Sequence, residues 1–547
     1  MRTFEVVARS LSRQHTRTIF GLMGDANLAY IGAYVEACGG EFVAAVAEGN
    51  AVSMADGYAR MSGEVGVASV THGPAVTNCL TALTEAVRAR SHVLLIAGDT
   101  PNVHHHFQSL DLEGFARGAG AGYLRIRKSA EVAADIAQAY ARIRSENRPL
   151  LLDIPFDLLE QPAENTGGAS PAQPMAARPR WAPDAETIDD ALGILLSARR
   201  PLLLAGRGAV ESGARGDILR LARLLGAPVM TTLLAKDLFA GEPENLGIHG
   251  NLAHPVGAAE ISRSDAVISF GASLNTFTTD GTALITGKSV IACDDRPEAI
   301  GRFGPVSMAV VADAAMAARA LCERLEAAGH AAPASDRVPT LAGQVAEAEQ
   351  KGYRSITGGG TVDMRDAMTW LGEALPDGAQ VVTDIGRFSF AAWKHLPVTP
   401  GRFTVPGTFG SIGLGIGTAV GAAAARREVP TVCVAGDGGG MMGMLELSTA
   451  VRHKLPLVVV ILNDNCYGAE YQKLADLGLA TAHSEVAWPE FADLARSLGA
   501  AAVTVRHAAD FAAAGAAIAA GAYPLLIDVK ADAARRRPTS PDAQESA

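Results

Sequence analysis

Short apolar runs recur along the whole chain and are separated by alanine-rich stretches of helical length. The runs occupy residues 67–70, 92–97, 150–154, 201–205, 266–270, 290–292, 381–383, 431–435, 457–462 and 525–529. Their apolar residues are continuous rather than alternating with polar ones, which is typical of strands that helices cover on both faces of a parallel sheet. We therefore expect an α/β protein with parallel sheets, whose ligands bind at the carboxyl ends of the strands.

Two stretches without clear periodicity divide the chain into three parts. Residues 161–184 are rich in proline, and residues 331–360 lose the helical pattern and end in three glycines. Both compositions are typical of linkers. The predicted domains are therefore 1–160, 185–330 and 361–535, followed by a polar tail at 536–547 that we expect to be disordered.

Composition excludes several classes of function. The chain has 47 Lys and Arg against 58 Asp and Glu, a formal net charge of −11, which argues against nucleic-acid binding because phosphate backbones are bound by clustered basic residues. Six cysteines lie far apart with no C-x-x-C pair, which excludes zinc ribbons and suits reduced thiols. No apolar run approaches the ~20 residues of a membrane helix, and the first residues lack a signal-peptide core. We expect a soluble, cytoplasmic protein with no membrane or nucleic-acid partner.

Two acidic motifs follow strongly apolar runs in the last third of the chain. The first reads Val-Ala-Gly-Asp-Gly-Gly-Gly and contains Asp437; the second reads Leu-Asn-Asp-Asn-Cys-Tyr-Gly and contains Asp464. Alone, each motif is an ordinary turn or loop. Together they predict two carboxylates at one edge of a parallel sheet, because parallel neighbouring strands present their ends together. Carboxylate oxygens suit Mg²⁺, and Gly438 and Gly439 would let a diphosphate approach the amides of a helix N-terminus.

With these motifs the chain resembles the thiamine-diphosphate-dependent enzymes of the acetolactate synthase, benzoylformate decarboxylase and pyruvate decarboxylase type, from Phe4 to about Asp532. The resemblance implies three domains: a pyrimidine-binding domain, a central domain and a diphosphate-binding domain. It also implies that Asp437, Asp464 and the carbonyl of Cys466 ligate Mg²⁺, with Tyr467 beside the cofactor. The family's usual residue at 464 is Asn, so Asp464 keeps an oxygen ligand but adds a negative charge.

The predicted helical segment from Ala47 to Arg60 has Glu48 in its first turn. From Glu48 onward it reads Glu-Gly-Asn-Ala-Val-Ser-Met-Ala-Asp-Gly-Tyr-Ala-Arg. An acidic residue in a first turn also has a simple role, since it favours the helix dipole. The family has a similar helix, whose glutamate contacts N1′ of the aminopyrimidine and promotes the tautomer that activates the thiazolium carbon. A carboxyl group that shares a proton with a ring nitrogen is a recognised acid–base device. The resemblance therefore implies that Glu48 is catalytic.

A glycine-rich segment at 407–421 resembles the family's Gly-x-φ-Gly motif, in which the large apolar residue φ wedges between the two rings of the cofactor. Gly410-Ser-Ile-Gly413 fits best, so Ile412 is the predicted wedge and the carbonyl of Gly410 the predicted acceptor for the pyrimidine amine. Phe409 is the alternative wedge if the alignment shifts by three residues.

Several weaker resemblances add candidates. His72, on a Gly-Pro turn after a strand, could face the substrate or be structural, and Gln108 stands where acetolactate synthases have an active-site glutamine. Gly386 and Arg387 belong to a loop that resembles the one that meets the diphosphate. We do not expect His104-His105-His106 to bind zinc, because consecutive loop residues rarely converge on one ion.

The resemblance also implies an activity and an assembly. We expect thiamine diphosphate and Mg²⁺ to be used to cleave or form a C–C bond of a 2-oxo acid, as a decarboxylase or a carboligase, in an obligate homodimer or homotetramer. Ser273 replaces an arginine of flavin-binding relatives, so we expect no FAD. The alternatives are an FAD-dependent enzyme of pyruvate-oxidase type and a non-catalytic cofactor-binding homologue.

Overall fold

Three parallel six-stranded sheets, each flanked by helices, organise the chain, which confirms the expected α/β class. The computed structural model describes residues 1–100, 106–163, 180–333 and 336–532. The predicted tail at 536–547 therefore lies outside the described residues, as does most of the predicted linker at 161–184.

The first sheet has the strand order β2-β1-β3-β4-β6-β5. Its strands are β1 Thr18–Gly21, β2 Glu41–Ala44, β3 Gly66–Val70, β4 Val93–Asp99, β5 Gly122–Arg125 and β6 Leu150–Pro155. Its helices are α1 Thr3–Arg13, α2 Leu28–Cys38, α3 Glu48–Ser62, α4 Pro74–Thr77, α5 Leu80–Ala89, α6 Leu112–Ala119, α7 Val132–Glu146 and α8 Phe156–Leu159.

The central sheet has the order β12-β11-β10-β7-β8-β9. Its strands are β7 Pro201–Ala205, β8 Val229–Thr231, β9 Asn245–Ile248, β10 Ala266–Phe270, β11 Ser289–Asp294 and β12 Met308–Val311. Its helices are α9 Ala185–Ser197, α10 Arg207–Glu211, α11 Arg215–Leu225, α12 Pro255–Arg263, α13 Thr276–Thr279, α14 Ala314–Ala327 and α15 Arg337–Lys351.

The third sheet has the order β14-β13-β15-β16-β18-β17. Its strands are β13 Gln380–Thr383, β14 Phe403–Thr404, β15 Thr431–Gly436, β16 Leu457–Asn463, β17 Ala501–Val505 and β18 Leu525–Lys530. Its helices are α16 Met364–Ala374, α17 Ser389–His395, α18 Gly415–Ala425, α19 Asp437–Gly443, α20 Leu447–Arg452, α21 Gly468–Asp476, α22 Phe491–Ser497 and α23 Phe511–Ala519. Short 3₁₀ turns occur at Ser129–Glu131, Leu233–Ala235, Pro297–Ala299, Met444–Glu446, Thr481–Ser484 and Ala508–Asp510.

The central strands form where the sequence is most continuously apolar. Every residue of β15, β16 and β18 is buried, as a sheet covered on both faces requires. No disulfide joins the six cysteines, all of which the structure describes. Among the helices of the described residues, none has the length and hydrophobicity needed to cross a bilayer.

The chain divides into two compact units, one built around the central sheet and the other containing the first sheet together with β13 and β15 to β18. Within the latter unit, the first and third domains share a continuous apolar core. Helices α3 and α18 form the closest part of this contact. A Cβ atom at Gly57 would overlap the carbonyl oxygen of Thr418, and one at Gly421 would overlap that of Met54.

The small residues of α3 and α18 are therefore used within one chain, where they let two helix backbones touch. Only glycine and alanine leave room for so close an approach, and here the partner of α3 is the chain's own third domain.

We expect Gly57→Ala to destabilise the protein, because its methyl group must displace the backbone of α18. Overpacking of this kind typically costs about 1–3 kcal/mol. Gly32→Ala is the matched control, since Gly32 lies inside α2 and a Cβ atom there meets nothing within 4 Å; replacing such a helical glycine should stabilise by roughly 0.5–1 kcal/mol. Thermal unfolding of both variants tests the contact, and a Gly57→Ala protein as stable as the Gly32→Ala protein would contradict it.

Candidate active site

Two neighbouring strands of the third sheet end beside the predicted metal ligands. Strands β15 and β16 are parallel, with Gly436 opposite Leu462. Helix α19 begins directly after β15 with Asp437, and Asp464 follows the last residue of β16. The structure thus brings both acidic motifs to one sheet edge.

Asp437 is buried and organises the loop that follows β16. Its Oδ2 accepts a hydrogen bond from the backbone amide of Cys466 at 3.0 Å, and its Oδ1 accepts one from the amide of Gly438 at 2.7 Å. The ring of Tyr467 packs so closely on Gly438 that a Cβ atom there would overlap it. A side chain at position 438 would therefore prevent this packing.

Asp384 is a third carboxylate at this edge, and we did not single it out from the sequence. It follows β13 directly, accepts hydrogen bonds from the amides of Gly413 (2.8 Å) and Ile385 (2.9 Å), and lies against Gly439. Burial raises the pKa of the Asp384 carboxyl to about 7, although both amides oppose the shift. Its position after an apolar strand, like that of Asp437, was the signal available in the sequence.

Arg387 brings a positive charge to the same edge. Its side chain runs over Gly468, and its Nη1 donates to Oε1 of Gln472 at 2.8 Å. Burial lowers the pKa of Arg387 below its usual value, while the charge of Asp464 opposes that shift. Gly386, the residue before it, packs against the ring of Phe388.

The segment between Gly407 and Leu414 carries both candidate wedge residues and forms no helix or strand. Gly410 and Gly413 have φ angles of +85° and +88°, a region that favours glycine. The ring of Phe409 lies under the guanidinium of Arg88 at 4.6 Å, whereas Ile412 is half-buried. The ring of Phe409 thus already has a partner, which favours Ile412 as the wedge.

Glu48 is the first residue of α3, on the first domain. Its Oε2 accepts a hydrogen bond from Nδ2 of Asn78 at 3.1 Å. The start of α3 is held by the third domain, because the buried carboxylate of Glu446 accepts hydrogen bonds from the amides of Val46 and Ala47 and from Nδ2 of Asn50, at 3.0–3.1 Å.

His72 and Gln108, both predicted from weak resemblances, contact each other. Nε2 of His72 lies 2.9 Å from Oε1 of Gln108, and Nδ1 lies 3.2 Å from the hydroxyl of Thr71. The ring of His106 meets His72 edge-on. His104 and His105 lie outside the described residues. His72 and Gln108 therefore form a polar cluster at the end of β3, on the same domain as Glu48.

The donor set fits a metal that is held jointly with a cofactor. Among the described residues, no three His, Cys, Asp or Glu side chains gather as a self-contained metal site. Two carboxylates and a backbone carbonyl would leave Mg²⁺ with open positions, which it commonly fills with phosphate oxygens and water.

Comparison with protein families accounts for this arrangement. The N-terminal TPP-binding domain of thiamine pyrophosphate enzymes matches residues 1–115, the central domain of these enzymes matches 188–321, and their C-terminal TPP-binding domain matches 384–529. The chain belongs to the thiamine-diphosphate-dependent enzymes.

Characterised relatives span several reactions. Sulfoacetaldehyde acetyltransferase of Alcaligenes xylosoxydans xylosoxydans is 28% identical over 90% of this chain and 86% of its own length. Acetolactate synthase isozyme 3 large subunit of Escherichia coli (strain K12) is 26% identical over 92% and 89%, respectively. A probable 2-ketoarginine decarboxylase of Pseudomonas aeruginosa is 29% identical over 91% and 88%. This thiamine-diphosphate enzyme is thus similar to both transferases and decarboxylases.

The central domain of this thiamine-diphosphate enzyme carries Ser273 in a loop after β10. Its hydroxyl accepts a hydrogen bond from Nδ2 of Asn275 at 3.1 Å, and Asn275 in turn caps α13. Ser273 is thus part of a local turn. The expectation that no flavin binds stays a prediction.

The raised pKa of Asp384 predicts a pH dependence of stability. Its value in the folded protein, about 7, exceeds the ordinary 3.8. Between roughly pH 4 and pH 7 the folded protein holds a proton that the unfolded chain releases, so the free energy of unfolding falls as pH rises. Relative to Asp384→Asn, the cofactor-free wild type should lose about 1.4 kcal/mol per pH unit in this window and then level off.

Thermal unfolding of both proteins between about pH 5 and pH 8 measures this difference. A difference that is constant across the window, or that changes in the opposite direction, would show that Asp384 is ionised throughout.

Proposed function

We propose that this chain is a thiamine-diphosphate- and Mg²⁺-dependent enzyme that decarboxylates a 2-oxo acid and either releases the aldehyde or transfers the remaining group to a second carbonyl. The observation that carries the proposal is Glu48, placed at the first turn of α3 with its carboxylate exposed enough to receive a ligand and oriented by Asn78. A homologue that had lost catalysis would have no need of this residue.

When bound, thiamine diphosphate supplies a nucleophilic carbon that adds to the ketone and accepts the electrons left as carbon dioxide departs. The role proposed for Glu48 is to hold the proton at N1′ of the pyrimidine. Asn78 donates to one oxygen of the Glu48 carboxyl group and leaves the other for the ring nitrogen.

The diphosphate end would be bound at the edge formed by β13, β15 and β16. Asp437, Asp464 and the carbonyl of Cys466 are the proposed Mg²⁺ ligands. Gly438 and Gly439 would lie beside the diphosphate. The amide of Gly439 would donate to a phosphate oxygen, whereas the amide of Gly438 donates to Oδ1 of Asp437. Arg387 would add a cation beside Asp464, which supports the assignment of Asp464 because it offsets the extra negative charge.

His72 and Gln108 are the proposed contacts to the substrate. With Oε1 of Gln108 as the acceptor, Nε2 of His72 would carry the donor proton. Gln108 then has its amide nitrogen available to donate to a carboxylate or carbonyl oxygen of the substrate. This amide orientation suits a 2-oxo acid, whose reacting end offers acceptors alone.

We also propose a homodimer, or a tetramer of two dimers, with the cofactor bound between subunits. Glu48 lies at the start of α3, which the same chain's Glu446 holds near the far end of α19. Asp437 lies at the beginning of α19. Pairing Glu48 of one chain with Asp437 of another would bring both groups to one cofactor.

Replacing Glu48 by glutamine tests the catalytic role. We expect Glu48→Gln to bind thiamine diphosphate but to lose roughly 10²–10⁴-fold in turnover, the usual contribution of a positioned acid–base group. Carbon dioxide, aldehyde and acyloin products would be measured with a panel of 2-oxo acids, alone and with aldehyde acceptors. Glu36→Gln, on the exposed side of α2, is the matched control. Turnover by Glu48→Gln within about twofold of wild type would reject the role.

Subunit mixing tests the assembly. Glu48→Gln and Asp437→Ala proteins, each expected to be inactive, are combined under conditions that allow exchange. If two chains share each site, a mixed dimer has one site with both defects and one with neither, and part of the activity returns. Proven exchange without recovery would mean that each site is built within one chain.

A further inference from the structure

Glu85 is a buried carboxylate on α5 whose hydrogen bonds reach the third domain. Its Oε2 accepts from the backbone amide of Phe409 at 2.6 Å, and its Oε1 accepts from the hydroxyl of Thr408 at 2.9 Å and from Nη2 of Arg60 at 3.0 Å. The side chain of Glu85 is 1% exposed. Phe409 immediately precedes Gly410, the proposed acceptor for the pyrimidine amine.

The ion pair with Arg60 does not by itself account for Glu85. Arg60 already makes two hydrogen bonds to Asp56, at 2.8 and 2.6 Å. One guanidinium thus faces two buried carboxylates, and removing a carboxylate from water is costly unless hydrogen-bond donors satisfy it. The donors that complete the shell of Glu85 are those of Thr408 and Phe409, so the conformation of this loop is tied to the burial of the charge.

The loop needs such an attachment. Gly410 and Gly413 both have left-handed φ angles, and a Cβ atom at Gly410 would meet nothing within 4 Å. Glycines without neighbours can adopt many conformations. Beyond Ile412, the amide of Gly413 is held by Asp384 at 2.8 Å. The three residues from Gly410 to Ile412 therefore lie between two amides, each bound to a buried carboxylate.

We propose that Glu85 is a positioning residue, which fixes the Thr408–Phe409 peptide so that the carbonyl of Gly410 and the side chain of Ile412 meet the aminopyrimidine end of the cofactor. This inference rests on the proposed function of that loop. Two residues of the first domain would then contribute to binding the pyrimidine. Glu48 would contact it directly, and Glu85 would act through the third domain of its own chain.

A purely structural role would consist of joining the first and third domains. Asp56 distinguishes the two roles, because it is also buried and shares Arg60, while among the described residues its side chain makes no hydrogen bond to the loop. Asp56→Asn and Glu85→Gln each remove one negative charge beside the same guanidinium. Only Glu85→Gln also affects Phe409 and Thr408, since an amide has one acceptor oxygen and must turn its N–H₂ toward one of the donors.

The experiment compares wild type, Glu85→Gln and Asp56→Asn at fixed Mg²⁺. Each is titrated calorimetrically with thiamine diphosphate and with inorganic diphosphate, and the near-ultraviolet circular dichroism of the loaded protein is recorded, because the aminopyrimidine acquires a signal when it is held in one orientation. We expect Glu85→Gln to bind thiamine diphosphate roughly 10-fold more weakly, to bind inorganic diphosphate as wild type does, and to show an altered dichroism band. Asp56→Asn should match wild type in all three measurements.

Three outcomes would overturn the inference: equal losses for the two ligands, the same loss in Asp56→Asn, or wild-type binding and dichroism in Glu85→Gln. Should Glu85→Gln fail to fold, Thr408→Val takes its place, because it removes one donor from the loop. Thr408→Val should weaken the binding of thiamine diphosphate, but not of inorganic diphosphate, by a smaller factor. The same three outcomes, read for Thr408→Val, would overturn the inference. Wild type that binds thiamine diphosphate but turns over no 2-oxo acid would reject the proposed reaction while leaving this comparison intact, since its readouts are binding and dichroism.

Discussion

The contact between α3 and α18 determines how the functional groups of the first and third domains are arranged in one chain. Because Gly57 and Gly421 leave no side chain between the helices, backbone atoms of α3 meet carbonyl oxygens of α18 and the reverse. Interiors are close-packed and transmit small displacements. The direction of α3, and with it the position of Glu48 at its start, is therefore set by the domain that binds the diphosphate.

Charged groups at the contact with the third domain also hold both ends of α3. Glu446 of the third domain accepts from the amides that precede Glu48, and Arg60 at the other end donates to the carbonyl of Val405 at 3.0 Å. Buried charges are costly unless their partners are in place. A helix attached at both ends by such groups is a rigid support for Glu48, the proposed catalytic residue, since any shift leaves a charge unsatisfied.

The sequence alone predicted the features that depend on local patterns. Continuous apolar runs become the buried central strands, and Asp437 and Asp464 lie at one sheet edge because they directly follow two of those runs. It did not reveal Glu85 or Glu446, each of which is bonded to a residue more than 300 positions away. In sequence each of them is an ordinary acidic residue, and the contact between the first and third domains supplies donors to its buried carboxylate. The surface against which α3 packs could not be deduced from composition.

The third domain also contains groups that can offset the negative charge of Asp464. Three carboxylates, Asp384, Asp437 and Asp464, follow strands of this sheet at the edge where the proposed function places an anionic diphosphate, and like charges that lie close together repel. The raised pKa of Asp384 lowers its average charge near neutrality, and Arg387 lies close enough to Asp464 for their charges to interact. An acid at position 464 together with an arginine at position 387 carries the same net charge as an amide and a neutral residue. Under the proposed function the two positions would therefore act as one electrostatic unit, in which the arginine lets a carboxylate ligand replace the amide without adding net negative charge beside the phosphates.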